Sequence, residues 1–162
     1  MRDHSMGKVH GTSVRAANDD IWGLDAHPTR PLFATGANDG VVSIFDWRMF
    51  VGPIASFDTC IHLKDDLNEV RSVQFSPCGK QLLAPCTQGP IMIFDVDEML
   101  SHGCEAEEGE PQRSNAPPFT CITSHDAGVH DAAWIPTENL AESPGFISAS
   151  QDHTAKFFRL DQ

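Results

Sequence analysis

Apolar and polar residues alternate in short runs along this chain, and most runs end at turn-forming residues. The clearest case extends from Leu32 to Arg48, where two apolar runs flank Asn38-Asp39-Gly40. Asp-Gly between two apolar runs is a strong β-hairpin signal, because both residues tolerate the positive φ that such turns need. The pattern predicts an all-β chain with the hairpin as its basic unit.

The hairpin pattern occurs three times, at long and similar spacing. Strands that precede the hairpins open at Ile21, Val70 and Val129, and the second strand of each hairpin ends at Phe45, Phe94 and Phe158. The first two units lie 49 residues apart. The distance to the third unit is longer because residues 97–118 and 137–145 read as insertions. Internal self-similarity of this kind is typical of repeat architectures.

Three segments give the chain a resemblance to the WD-repeat family. They are SIFDWR (43–48), MIFDV (92–96) and AKFFRL (155–160), each at the position of the family's Trp-Asp pair. The resemblance implies an all-β fold of β-propeller blades, each with four antiparallel strands. It places three repeat units at about 12–48, 51–96 and 119–160, after a flexible N-terminal segment 1–11 and with an acidic loop insertion at 97–118.

The resemblance also implies a staggered order of strands. Outer strands are expected near 12–17, 51–57 and 119–123, each before three inner ones, so that the first outer strand completes the last blade. Three blades are fewer than the 4–8 of typical propellers. Three alternatives therefore stay open: a part of a longer propeller, a homodimer that forms a six-bladed ring, or an unrelated propeller that supplies the missing blades.

In this family a buried network links a loop His, a strand Ser or Thr, a turn Asp and the Trp. The third unit keeps His125, Ser148 and Asp152. The first unit keeps Thr35 and Asp39 and has Ala17 at the His position; the second has Asp66, Ala84 and Gln88 and has lost the network. Phe replaces Trp in all three units. We therefore expect stability to depend on packing between sheets, through Trp22, Phe33, Phe75, Trp134 and Phe146.

The chemistry of the chain does not indicate an enzyme. His, Ser and Asp are the residue types of a hydrolase triad, but the chain has no G-x-S-x-G elbow to expose a nucleophile. Its histidines and five cysteines form neither H-E-x-x-H nor C-x-x-C, and it has no G-x-G-x-x-G loop. We predict no catalytic residues, no metal and no cofactor.

Charge and cysteine usage restrict the partners and the compartment. The net charge of −12 argues against direct nucleic-acid binding, which depends on Lys and Arg, and against anionic membranes. An odd number of scattered cysteines fits a reducing compartment, so the prediction is cytoplasmic or nuclear. The partners predicted are other proteins of a complex.

Two functions remain open at the level of sequence. The first is a protein–protein interaction scaffold that assembles a multiprotein complex. The alternative is a substrate receptor of a cullin-4 RING ubiquitin ligase, because Phe45-Asp46-Trp47-Arg48 resembles the docking box of such receptors. Asp46 and Arg48 are accordingly the predicted protein-binding residues, since an Arg at a strand exit offers a planar, permanently charged donor.

Overall fold

The computed structural model describes residues 11–60, 68–103, 119–123, 125–136 and 145–160, which form three antiparallel sheets. We call these sheets the first, second and third blades. The first contains β1 (Ile21–Ala26), β2 (Leu32–Ala37), β3 (Val41–Asp46) and β4 (Ala55–Asp58). The second contains β5 (Gln74–Phe75), β6 (Gln81–Pro85), β7 (Pro90–Asp95) and β8 (Phe119–Thr123). The third contains β9 (Val129–Trp134), β10 (Gly145–Ser150) and β11 (Ala155–Arg159), and helix α1 (Val96–His102) follows β7.

Each blade is a meander in which consecutive strands pair. The first strand of the second blade, β5, lies against both β1 and β9, the first strands of the other two blades. Antiparallel meanders arranged radially in this way are blades of a β-propeller. The predicted fold class is confirmed, and so is the hairpin of β2 and β3, whose strands pair from Leu32–Asp46 to Gly36–Val42.

Two apolar clusters fill the spaces between the blades. The first cluster joins the first and second blades and includes Ala34, Ile44, Phe57, Val73, Leu82 and Phe94. The second joins the second and third blades and includes Leu83, Ile91, Ile93, Ala132, Trp134 and Phe146. The second blade is thus covered on both faces, and β7 buries its first five residues. In the third blade β11 alternates between exposed and half-buried positions, because only one face is covered.

Hydrogen bonds between first strands also join neighbouring blades. The Asp25 carboxylate accepts from the backbone N–H of Phe75 at 2.8 Å, and the Gln74 side-chain oxygen accepts from that of Trp134 at 2.6 Å. Asp25 and Gln74 hold the same position in their blades, and Ala133 holds it in the third. Each bond therefore fixes one blade against the next, and the third blade has no side-chain acceptor at this position.

Two of the three predicted outer strands are present, since β4 pairs with β3 and β8 pairs with β7, but the first is not. Residues 11–17 form no strand, and the third blade consists of β9, β10 and β11 without a fourth strand among the described residues. The segment GTSVRAA has one β-branched apolar residue, Val14, and its other side chains are small, polar or charged. Such a segment offers little apolar surface to either face of a sheet.

Other elements also differ from expectation. The strand predicted from Val51 begins only at Ala55, because Gly52-Pro53 favours a turn and Pro53 has no N–H for a ladder. The acidic insertion predicted as a loop over 97–118 begins as helix α1, which the Asp95 carboxylate caps by accepting from Glu98 N at 2.9 Å; residues 104–118 lie outside the described residues. Trp22, expected in the core, is 53% exposed, with the Arg71 guanidinium over its ring.

Candidate functional site

The structure brings His125, Ser148 and Asp152 within hydrogen-bonding distance in the third blade. Nδ1 of His125 lies 2.7 Å from an Asp152 carboxylate oxygen, and Nε2 lies 2.7 Å from the Ser148 hydroxyl. The His125 side chain is fully buried and Ser148 is 3% exposed. The Ser comes from β10, the Asp from the β10–β11 turn and the His from the loop before β9. The three residues therefore connect a loop, a turn and a strand of one blade.

The positions of the protons in this network can be inferred from its acceptors. A carboxylate only accepts, so Nδ1 of His125 carries the proton that it shares with Asp152, and Nε2 is then free to accept from the Ser148 hydroxyl. Asp152 also accepts from the Thr154 hydroxyl at 2.6 Å and from the backbone of Thr154 and Asp126. The Thr154 hydroxyl, then His125 and the two backbone N–H groups, hold the pKa of Asp152 well below its usual range. The Ser148 hydroxyl is therefore buried and hydrogen-bonded to His125.

The first blade makes only part of this arrangement. The Asp39 carboxylate accepts from the backbone N–H of Asn18 at 2.7 Å and from that of Val41 at 3.2 Å. Asn18 N corresponds to Asp126 N in the third blade, which places Ala17 where His125 stands. Thr35 is 4% exposed, and among the described residues it makes no hydrogen bond to Asp39. The methyl group of Ala17 cannot hydrogen-bond, so it cannot connect Thr35 on the strand with Asp39 in the turn as His125 connects Ser148 with Asp152.

The second blade lacks the network, and a different pair of contacts holds its turn. Ala84 is fully buried in the first apolar cluster, and Gln88 is exposed; Asp66 lies outside the described residues. The Thr87 hydroxyl accepts from Glu69 N at 3.0 Å, and Thr87 N donates to the Glu69 carbonyl at 2.9 Å. Packing on both faces leaves this blade less dependent on buried polar contacts.

Asp46 and Arg48, the predicted protein-binding pair, bind each other. Nη2 and Nε of Arg48 donate to the two carboxylate oxygens of Asp46 at 2.6 and 3.0 Å, and Arg48 N donates at 2.9 Å. Hydrogen bonds from the guanidinium lower the pKa of Asp46 and raise that of Arg48. The Arg48 side chain is 63% exposed, so the remaining guanidinium donors face solvent.

The β3–β4 loop, residues 47–54, carries exposed apolar side chains next to this ion pair in the sequence. The exposed fractions are 62% for Trp47, 67% for Met49 and 85% for Val51. The loop is nevertheless fixed, because Trp47 N donates to the Pro31 carbonyl at 3.1 Å and Ile54 N to that of Ile44 at 2.8 Å. The sequence pattern includes Trp47 in the predicted docking box but assigns the run from Val51 to a strand, so it does not predict the exposure of Val51; the signal that identifies the loop is Gly52-Pro53.

The rest of the described structure offers few features of a small-molecule site. A cavity of about 230 Å³ lies between the first strands of the blades, lined by Leu24, Asp25, Ser72, Val73, Gln74, Asp131, Ala132 and Ala133. The side chains of Asp25 and Gln74 are taken up by the bonds between blades. Within the described residues, no cluster of His, Cys, Asp and Glu has the geometry of a metal site, and no helix is long and apolar enough to cross a membrane.

Comparison with known families and proteins agrees with this architecture. The sequence model of the family described as "WD domain, G-beta repeat" matches residues 8–46 and 117–159, together half of the chain. These segments contain the first and third hairpins. The second hairpin, where Ala84 and Gln88 replace network residues, lies outside both matches.

Several curated proteins are similar to the chain. Eukaryotic translation initiation factor 3 subunit I of Candida albicans is 34% identical over 83 residues, covering 48% of this chain and 21% of that protein. The subunit of the same name from Pyricularia oryzae is 24% identical over 175 residues, covering 84% and 48%. Protein hir-1 of Neurospora crassa is 26% identical over 135 residues, covering 80% and 13%. The chain thus spans about half or less of the length of these relatives.

Proposed function

The chain belongs to the WD-repeat family, and from this premise we propose that it acts as a protein–protein interaction scaffold within a multiprotein complex. The observation that carries the proposal is the β3–β4 loop. Trp47, Met49 and Val51 are exposed on a loop that backbone hydrogen bonds hold in place. Aromatic residues and Met are enriched in protein interfaces and account for much of their binding energy.

The conformation of this loop favours binding. Phe50 anchors it by packing against Phe33 and Phe45, with ring centroids 5.7 and 5.9 Å apart. The Asp46–Arg48 pair closes the turn at its start. A loop that is ordered before it meets its partner loses less conformational entropy on binding. The exposed apolar side chains are therefore presented in a fixed arrangement, as expected of a docking surface.

The names of the relatives suggest which complex to test. Two of them are subunits of eukaryotic translation initiation factor 3. We propose that the partners of this chain are other subunits of such a factor and that it works in the cytoplasm, where translation takes place. The ligase-receptor alternative gains no support: none of the three relatives described above is named as a receptor, and two of the donor groups of Arg48 are used by Asp46.

The test is a binding measurement with a purified initiation factor 3 from which subunit I has been omitted. We expect the wild-type chain to bind and the double variant Trp47→Ala/Met49→Ala to bind about ten-fold more weakly, as expected when a hot spot is truncated. Thr120→Ala, an exposed change on β8, is the matched control and should bind like wild type. Failure of the wild-type chain to bind would refute the proposed partner; equal binding by wild type and the double variant would refute the proposed surface.

A further inference from the structure

The two interfaces between blades are built from equivalent positions, three of which also lie on the outermost faces. The residue two before the end of the first strand is Leu24, Val73 or Ala132. The third residue of the second strand is Ala34, Leu83 or Ile147, and the residue paired with it on the third strand is Ile44, Ile93 or Phe157. At the first interface Val73 packs in one cluster with Ala34 and Ile44. At the second, Ala132 packs in one cluster with Leu83 and Ile93.

The same positions are exposed on the two outermost faces. All six residues that belong to the two interfaces are at most 4% exposed. Leu24, on the outer face of the first blade, is 69% exposed, and Ile147 and Phe157, on the outer face of the third, are 48% and 57% exposed. One outer face thus carries the Leu24 side of an interface, and the other carries the Ile147 and Phe157 side. We call them the leading face and the trailing face.

The two outer faces differ in the aromatic rings that cover them. At the first interface Phe57, from the fourth strand of the first blade, covers Phe94 of the second blade, with ring centroids 5.2 Å apart. The third blade has no fourth strand among the described residues, so its trailing face offers no such ring. On the leading face, Phe45 stands at the position of Phe94, and it is already fully buried because Phe33 and Phe50 cover it at 4.9 and 5.9 Å.

We propose that two copies of this chain associate, with the trailing face of each against the leading face of the other. Leu24 of one copy would then meet Ile147 and Phe157 of its partner, as Val73 meets Ala34 and Ile44 within the chain. The described residues of one copy form three blades, so those of two copies together form six, which is within the usual 4–8. A head-to-tail contact that closes after two copies forms a six-bladed ring instead of an open filament.

The contact between copies should be weaker than those within the chain. Asp25 and Gln74 each accept a backbone N–H from the next blade, but Ala133 stands at the third position and cannot. The association therefore rests on apolar burial alone. The dimer is expected to dissociate on dilution, while the three blades of each copy stay together. The proposal rests on the blade fold and does not depend on the proposed scaffold role.

The experiment is size-exclusion chromatography with light scattering on the 162-residue chain over a wide range of concentrations. We expect twice the 17.7 kDa monomer mass at high concentration and the monomer mass on dilution. Leu24→Asp and Phe157→Lys, each made alone, should halve the mass at high concentration, because each variant disrupts both contacts of the ring. Val51→Asp, which changes an exposed apolar side chain on the β3–β4 loop, should leave the dimer unchanged.

Mixing the two interface variants distinguishes this arrangement from others. In a mixed pair, one contact sets the introduced carboxylate against the introduced ammonium group and the other contact is wild type, so dimers should reappear when the variants are combined. Circular dichroism of each variant checks that the fold is kept. A monomer at every concentration, a mass above that of a dimer, or a Leu24→Asp variant that still dimerises would overturn the proposal.

Discussion

The second and third blades are stabilised by different interactions. The second blade packs on both faces, has lost the His–Ser–Asp network, and buries nearly all of β7. The third packs on one face and keeps the network His125–Ser148–Asp152. The difference indicates that packing on both faces fixes the turn of the second blade, whereas the third blade, with one open face, holds its turn to its strands through buried polar contacts.

The largest effect is expected from truncation of the equivalent aromatic residues of these two blades. Phe94 is fully buried against Phe57 and Phe119, whereas Phe158 is half-buried against Phe146. Phe94→Ala should lower the free energy of unfolding by about 3–5 kcal/mol, because it leaves a cavity between two blades. Phe158→Ala should cost about 1–2 kcal/mol, because less apolar area is lost. Urea titration at one protein concentration measures both, and equal losses would contradict the comparison.

A smaller effect is expected from removal of the network hydroxyl. Ser148→Ala leaves Nε2 of buried His125 without its partner and should lower the free energy of unfolding by about 1–3 kcal/mol. Thr35→Val is the matched variant in the first blade, where Ala17 replaces the His, and its cost should stay below about 1 kcal/mol. If both variants cost the same in urea titration, the network does not contribute to the third blade in the way described.

The smallest effect is expected in acid and should be confined to the third blade. The folded state lowers the pKa of Asp152, so the carboxylate contributes stability that is fully present above its unfolded pKa and is lost as the pH falls from there through the lower folded-state pKa. Amide hydrogen exchange, corrected for its intrinsic pH dependence, should therefore show β10 and β11 losing protection before β6 and β7. Asp152→Asn should remove this pH dependence. Simultaneous loss of protection in both blades of wild type would contradict the assignment.

Local signals in the sequence account for the parts of the fold that could be predicted. The hairpin of β2 and β3 follows from Asp39-Gly40 and its flanking apolar runs, and Gly40 takes a φ of 80°. The negative charge of residues 97–118 predicts a loop with at most a brief helical turn at Met99-Leu100, whereas helix α1 has seven residues. The signal was present, since Asp95 is a capping residue and Val96, Met99 and Leu100 recur with helical spacing.

Contacts between distant segments could not be predicted. Asp25 and Gln74 bind backbone groups 50 and 60 residues further along the chain, and nothing in the sequence around a backbone N–H indicates which side chain it meets. His125, Ser148 and Asp152 could be grouped only through their resemblance to a family pattern. The β3–β4 loop could not be recognised from its residues, because a run of apolar side chains does not by itself distinguish a buried strand from an exposed docking loop.

The hydrogen bonds between blades also give the chain a direction. In each bond the earlier blade supplies the side-chain acceptor and the later blade supplies the backbone donor. A ribosome delivers the blades in this same order, so each new sheet meets a neighbour whose acceptor is already in place. Ala133, at the equivalent position of the third blade, has no side-chain acceptor of this kind.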